Sequence, residues 1–356
     1  MPTAKLILKD GTVLKGQSFG APISAAGEVV FNTSMVGYPE SLTDPSYHGQ
    51  ILTLTYPLIG NYGIGDNSRD QNDIENNFES GKIRVKGLII TEYSENFSHW
   101  QAAKSLSAWL KENNIPAITG IDTRALTQKI RQHGTILGKI IAGTSPEPDF
   151  YNPDLDNLVA QVSISKPKLY KKGPKKIICI DCGMKNNILR NFLSRNITVL
   201  RVPWNYDFIK AEEKFDGIFI SNGPGDPAML TELHSIIKKA FSFKKPIFGI
   251  CLGCQIMALA GGAKTYKLKF GHRAQNQPCI DTKTKHCYIT SQNHGFAVNE
   301  KSLKSGWEVW LRNLNDKTIE GIRHKTLPFF SCQFHPEASP GPSDTTNFFD
   351  QFAAML

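Results

Sequence analysis

Residues Pro246-Ile247-Phe248-Gly249-Ile250-Cys251-Leu252-Gly253-Cys254-Gln255 constrain this chain more than any other stretch. A short apolar run reads as a buried strand and ends in Gly-x-Cys-x-Gly, after which Gln255–Ala260 reads as a helix. This is the layout of a nucleophile elbow. Two glycines let the chain reverse sharply, and the residue between them stands exposed at a helix N-terminus. Serine is the usual occupant; here it is Cys251. The helix dipole and its unpaired N–H groups favour a thiolate, lowering a cysteine pKa from about 8.5 into the ~3.5–7.5 range. Cys251 is therefore the expected covalent catalyst.

The flanking sequence alternates. Strands are expected at Lys176–Ile180, Ile197–Val202, Gly217–Ser221 and Pro246–Ile250, with helices at Lys185–Ser194, Tyr206–Lys214 and Ala228–Ala240. Short, continuously apolar strands alternating with helices predict an α/β fold with a doubly wound, mostly parallel sheet covered on both faces. Sites in such sheets lie beyond the C-terminal strand ends, where Cys251 and the Ser221–Pro227 turn both fall. The earlier part of the chain reads as a smaller, strand-rich, antiparallel α+β domain. A hairpin turns at Asp10-Gly11, and further strands are expected at Glu28–Asn32, Gln50–Thr55, Gly87–Glu92 and Ile136–Ala142. One helix is expected over Ala102–Asn113, and another from the N-cap Asp122 to Gly134. Weak periodicity and Pro, Lys and Asp enrichment put a linker at 146–174, between domains 1–145 and 175–356.

A length of 356 residues suits two domains. No apolar run reaches the ~18 residues of a membrane helix, so no membrane role is expected. The N-terminal residues enter a strand and turn directly, with no signal or transit segment expected ahead of them. Seven cysteines without a regular framework point to reduced thiols. A cytoplasmic location is expected, or the plastid stroma if the chain is plastid-encoded, as its Lys/Asn-rich composition suggests. The formal charge of +9 lies wholly beyond residue 145, since residues 1–145 carry 13 basic and 13 acidic side chains. Its densest part, Lys166–Lys176, reads as a solvated linker, and no zinc-finger spacing or aromatic-interleaved basic repeat accompanies it. Nucleic-acid binding is not expected.

A cysteine nucleophile needs a base that takes its proton and returns it to the leaving group. His335 is the candidate, in Phe334-His335-Pro336-Glu337 just after the apolar run Leu327–Phe330. An i, i+2 turn can bring the Glu337 carboxylate to the imidazole and fix its orientation. The oxyanion of acyl transfer needs N–H donors. Leu252 N–H is one candidate, and the loop Ser221-Asn222-Gly223-Pro224-Gly225-Asp226-Pro227 offers others, although such a cluster can also be a plain turn. Cys251-x-x-Cys254 also matches a redox or metal pair. Cys279, Cys287, His272 and His286 supply no clear second pair, so no metal ligand is assigned and Cys254 reads as a small core residue.

Together these motifs resemble the class I (triad) glutamine amidotransferases. The resemblance is most specific to the small-subunit family of carbamoyl-phosphate synthetases. Phe31–Tyr38, Leu42–Tyr47, Thr55–Asn61 and Ile121–Thr127 carry it in the first half, and Lys269–His272 with Gln292–Ala297 in the second. It covers nearly the whole chain. It implies a flavodoxin-like class I amidotransferase domain, with Cys251 as nucleophile, His335 as base and Glu337 as its orienter. It further implies glutamine binding by Ser46, Gly223, Gly225, Leu252, Gln255, Asn293, Gly295 and Phe296. Two departures stand out: the family usually has histidine where Cys254 stands, and His272–Gln277 drifts from its pattern.

The activity implied is hydrolysis of L-glutamine to glutamate and ammonia for carbamoyl phosphate synthesis, which feeds arginine and pyrimidine biosynthesis. The partner implied is the large synthetase subunit, in a heterodimer that assembles further. No cofactor is expected in this chain, ATP and Mg²⁺ being the large subunit's. A different synthase partner, a cysteine peptidase of similar fold and a non-catalytic subunit are the rival readings.

Overall fold

The computed structural model describes residues 1–356, which divide into two compact units, Met1–Asp156 and Asn157–Leu356. The first unit is built on a closed seven-stranded barrel in the order β1-β2-β8-β6-β4-β3-β9. Its strands are β1 (Thr3–Leu8), β2 (Val13–Ser18), β3 (Ala25–Asn32), β4 (Gln50–Leu54), β6 (Gly87–Ile89), β8 (Ala117–Thr119) and β9 (Ile136–Ala142). A small parallel pair, β5 (Leu58–Ile59) and β7 (Glu92–Tyr93), stands apart. Alternation fixes which side of β1 is inside: Ala4, Leu6 and Leu8 are buried between more exposed neighbours. The β1–β2 hairpin turns at Asp10-Gly11, where Gly11 has φ 89° and Asp10 Oδ1 accepts from Thr12 N at 3.0 Å.

The purely antiparallel expectation is corrected here. The ladders β3–β4, β4–β6 and β6–β8 are parallel. The crossovers carry the helices α1 (Tyr38–Thr43) and α2 (Leu106–Glu112), while α3 (Thr123–His133) leads from β8 to β9. Helix α2 starts four residues later than the sequence suggests, because Ser105 rather than Ala102 supplies the cap, accepting from Ala108 N. Helix α3 runs as expected from Asp122, which caps Ala125 N, to Gly134 at φ 99°.

The second unit begins inside the stretch read as a linker. That stretch holds the helix α4 (Leu158–Val162) and the strand β10 (Lys168–Tyr170), and Tyr170 is buried. The remaining strands are β11 (Lys175–Asp181), β12 (Ile197–Pro203), β13 (Gly217–Ile220), β14 (Ile247–Ile250), β15 (Thr265–Asp281), β16 (Cys287–Val298), β17 (Trp307–Asn313), β18 (Ile319–His324) and β19 (Phe329–Cys332). The helices are α5 (Asn186–Ser194), α6 (Thr231–Ala240), α7 (Leu252–Ala260) and α8 (Asn347–Met355). No helix forms over Tyr206–Lys214. The Asp207 carboxylate accepts from Lys210 N and Glu212 adopts φ 51°, so the segment stays in turns.

One ten-stranded sheet runs β10-β12-β11-β13-β14-β19-β18-β17-β15-β16. Strands β12, β11, β13, β14 and β19 are mutually parallel and form its centre. Both flanks are antiparallel, so the sheet is mixed rather than mostly parallel. Period-two alternation splits the central strands between two faces. Ile218, Ile220 and Ile247 pack with Leu233 and Ile237 of α6 and Ile256 and Met257 of α7. Phe219 and Phe248 point the other way, toward Phe192 of α5 and Phe349 and Phe352 of α8, with ring centroids 4.8–5.8 Å apart.

Candidate active site

The strand β14 ends at Ile250, and α7 starts at Leu252 with only Cys251 between them. Cys251 takes φ 54° and ψ −104°, a strained conformation for a residue with a side chain. The flanking glycines serve close approach. A Cβ on Gly253 would lie 2.2 Å from Ile220 O, and one on Gly249 would lie 2.7 Å from Gly253 backbone. Neither glycine has positive φ, so the sharp reversal expected of the pair falls on the cysteine. The first helical hydrogen bonds run from Cys254 and Gln255 N–H to Cys251 O, which leaves Leu252 N–H free of any intrahelical partner. The loop after β13 lies against this turn: a Cβ on Gly223 would meet Cys182 O at 2.1 Å and the Leu252 side chain at 2.9 Å.

Strand β19 runs parallel beside β14 and delivers the turn that holds His335 and Glu337. Their side chains meet as the i, i+2 spacing predicts, with His335 Nδ1 2.7 Å from Glu337 Oε1. Both are buried. A carboxylate only accepts, so Nδ1 carries the proton and Nε2 is left to exchange one. His335 Nε2 has the Cys251 sulfur as its interaction partner, and Cys251 Sγ lies 3.6 Å from Asn293 O. Burial pushes the imidazole pKa down, but the Glu337 carboxylate and the Cys251 sulfur outweigh it and raise it to about 10. Burial likewise pushes Glu337 up, while the Lys185 ammonium and the His335 imidazolium pull it down to about 2. The site therefore favours an ionised carboxylate and a protonated imidazole beside the sulfur.

Lys185 is a functional residue that the sequence reading missed. It is 2% exposed, lies just before α5, and reaches Glu337 Oε1 at 3.1 Å while donating to Ala338 O. Asn187 Nδ2 donates to Glu337 O. A lysine in Asp181-Cys182-Gly183-Met184-Lys185, directly after the first central strand, was the signal available. Gln333 was missed as well; its Oε1 accepts from Gln255 Nε2 at 3.1 Å.

The structure brings most of the implied glutamine-binding residues of the second unit toward this turn. Gln255 Nε2 also donates to Phe296 O at 2.9 Å, which ties α7 to the strand β16 that carries Asn293, Gly295 and Phe296. Gly295 lies against the Arg273 guanidinium. Gly225 adopts φ 85° and packs near Leu158 instead of against the elbow. Ser46 belongs to the first unit, in a buried turn capped by Asp44 Oδ1. Cys254 is fully buried in the core, and burial pushes its thiol up to about 12, which leaves it poorly suited to redox or thiolate-metal chemistry.

Residues 178–355 match the family model "Glutamine amidotransferase class-I", and residues 6–140 match "Carbamoyl-phosphate synthase small chain, CPSase domain". The multifunctional protein CAD of Squalus acanthias is 52% identical over 98% of this chain and 16% of its own length. The multifunctional protein URA2 of Saccharomyces cerevisiae is 49% identical over 98% of this chain and 17% of its own. Human mitochondrial carbamoyl-phosphate synthase [ammonia] is 48% identical over 99% and 24%. The chain thus spans about a sixth to a quarter of the length of these relatives. It belongs to the class-I glutamine amidotransferases, with the small-chain domain of carbamoyl-phosphate synthase ahead of its amidotransferase domain.

Proposed function

We propose that this chain is the glutaminase component of a carbamoyl-phosphate synthetase: it hydrolyses L-glutamine and supplies ammonia to a large synthetase subunit. The observation that carries the glutaminase reading is the elbow cysteine beside a buried His335–Glu337 pair. Likeness alone is insufficient, because one relative's own name specifies ammonia as its nitrogen source.

With its proton already held on His335 Nε2, the Cys251 sulfur attacks the side-chain amide carbon. The oxyanion so formed is met by Leu252 N–H and by backbone donors near Gly223, each such donor contributing about 10²–10³-fold. The C–N bond breaks as His335 returns its proton to the departing ammonia. Water then attacks the thioester, His335 takes its proton, and glutamate leaves with the thiol restored. Glu337 stabilises the imidazolium throughout, and Lys185 holds Glu337 ionised. Gly223, Gln255, Asn293, Gly295 and Phe296 hold the substrate in this reading. The central parallel strands, in the order two-one-three-four-five with helices on both faces, support a doubly wound, flavodoxin-like sheet.

Ammonia is mostly ammonium in neutral water and is then no nucleophile, so it must be handed over shielded from solvent. That requirement, with the match of residues 6–140, supports a large-subunit partner holding ATP and Mg²⁺ and a heterodimer that assembles further. No helix is long and apolar enough to cross a membrane. The test is glutamate release from glutamine with acid-quenched mass analysis of the Cys251 peptide. A transient glutamyl adduct on Cys251 is expected. Glutamate release without it, or cleavage of peptides in place of glutamine, would contradict the reading.

A further inference from the structure

Away from the triad, three antiparallel strands bring a second set of reactive side chains to one buried point. His272 of β15 and His294 of β16 are direct cross-strand partners, and Glu320 of β18 meets them from the side. All three are buried, Glu320 completely. One donor atom from each lies within 4.8 Å of the others.

The outer hydrogen bonds decide what these side chains offer to the centre. His294 Nδ1 lies 2.8 Å from Phe296 O, and a carbonyl can only accept, so His294 carries its proton on Nδ1 and a lone pair on Nε2. His272 Nε2 lies 2.8 Å from Asp316 Oδ2, which likewise places the proton there and a lone pair on Nδ1 in the neutral ring. Both lone pairs face Glu320: His272 Nδ1 is 3.2 Å from Oε1, and His294 Nε2 is 3.9 Å from Oε2. Glu320 Oε2 is buried and has no hydrogen-bond partner. Gln292 adds a fourth acceptor. Its Nε2 donates to Thr290 Oγ1 and Cys279 Sγ, which turns its Oε1 to within 3.3 Å of His294 Nε2.

Four acceptors thus converge; Asn313 Nδ2 and Thr318 Oγ1 donate to Glu320 Oε1, each at 3.3 Å, but Oε2 is left without a donor, an arrangement that a cation resolves. The outer partners match what metal-bound histidines use, one carboxylate and one backbone carbonyl, each fixing a tautomer. Two imidazoles and a carboxylate are a zinc donor set, with tetrahedral geometry completed by a further oxygen. We infer that His272, His294 and Glu320 form a binding site for a divalent transition metal, zinc in the first instance, with Gln292 Oε1 or water as the fourth ligand. The ion would lie behind the Asn293–Phe296 segment and tie β15, β16 and β18 together. The inference does not depend on the glutaminase reading.

The full chain, freed of metal by dialysis against chelator, is titrated with Co²⁺ and followed by visible absorption. One equivalent is expected to give the d–d bands of a four-coordinate nitrogen/oxygen site without a thiolate charge-transfer band, and Zn²⁺ is expected to abolish them. Glu320→Gln, nearly isosteric, is expected to lose the bands while keeping its circular dichroism. Asp316→Asn is expected to weaken the metal about 10–100-fold, because it removes the outer partner of His272. Cys251→Ser, although it removes the nucleophile, is expected to leave the Co²⁺ bands and the affinity for the metal as in wild type. The inference is overturned by a folded wild-type chain that gives no bands at one equivalent. It is equally overturned by bands that survive in Glu320→Gln, or by a thiolate band lost in Cys251→Ser, which would put the metal on the cysteine pair. Should Glu320→Gln fail to fold, undiminished affinity in Asp316→Asn overturns it instead.

Discussion

Cys251 sits in a backbone conformation that a side chain makes costly, and its neighbours hold it there because β14 and α7 are both fully packed. The cost of positive φ for an L-residue is about 1–2 kcal/mol. Cys251→Gly is therefore expected to melt higher than Cys251→Ala, although it removes more atoms, while both lose glutaminase activity. An alanine variant as stable as the glycine variant would contradict the strain. Glu337 gives a pH signature. Its pKa falls from about 4.5 to about 2 on folding, so its contribution is complete above the unfolded value and is lost as pH falls through the folded one. His335 is raised to about 10, so its share is complete below about 6.5 and lost as pH rises toward 10. Removing one partner of a buried ion pair costs about 3–5 kcal/mol. Glu337→Gln should lose about that much at pH ~6, and the gap to wild type should narrow on acidification toward pH ~3, as read by Tm across pH. A gap that widens with acid would contradict the assignment.

At the scale of elements, the elbow was legible because strand, turn and helix are adjacent in sequence. Its glycines are there for space, and Gly253 shows this best. A methyl at that position collides with Ile220 O of β13 and pushes α7 off the sheet. Gly253→Ala should cost about 1–3 kcal/mol in stability. It should also lower glutaminase activity by about 10²-fold, because a shift near 1 Å moves Leu252 N–H from the reacting oxygen. Unchanged kinetics in that variant would rule out the donor assignment. The pairing of His335 with Glu337 was equally legible, being local. Lys185 was not, since it reaches Glu337 across about 150 residues of sequence. His272, His294 and Glu320 lie on the antiparallel strands after α7, where no alternating helices mark the pattern, and only the β15–β16 register brings the histidines together. The parallel ladders of the barrel were hidden for a similar reason. Short strands such as Ala117–Thr119 do not reveal their direction, and the long connections between them are mostly turns.

For the whole molecule, the chain divides into two compact units at Asp156/Asn157, and the triad, the elbow and the ten-stranded sheet all fall in the second. That unit has its own core, from Val159 to Phe329. Residues 157–356 produced alone are expected to give a cooperative thermal transition and native-like circular dichroism. A broad, non-cooperative melt would show that the first unit is needed for folding. The first unit brings no triad member, and its match to the small-chain domain supports a docking role in the proposed complex. The central claim joins both units: glutamine is cleaved at Cys251 and its nitrogen is passed to a partner. The most direct measurement combines the chain with a carbamoyl-phosphate synthetase large subunit, bicarbonate and ATP, and follows carbamoyl phosphate made from glutamine or from ammonium, for wild type and Cys251→Ala. Product from both nitrogen sources with wild type, and from ammonium alone with Cys251→Ala, is the predicted result. Glutamine-dependent product that persists in Cys251→Ala, or fails in wild type while the ammonium reaction proceeds, would contradict it.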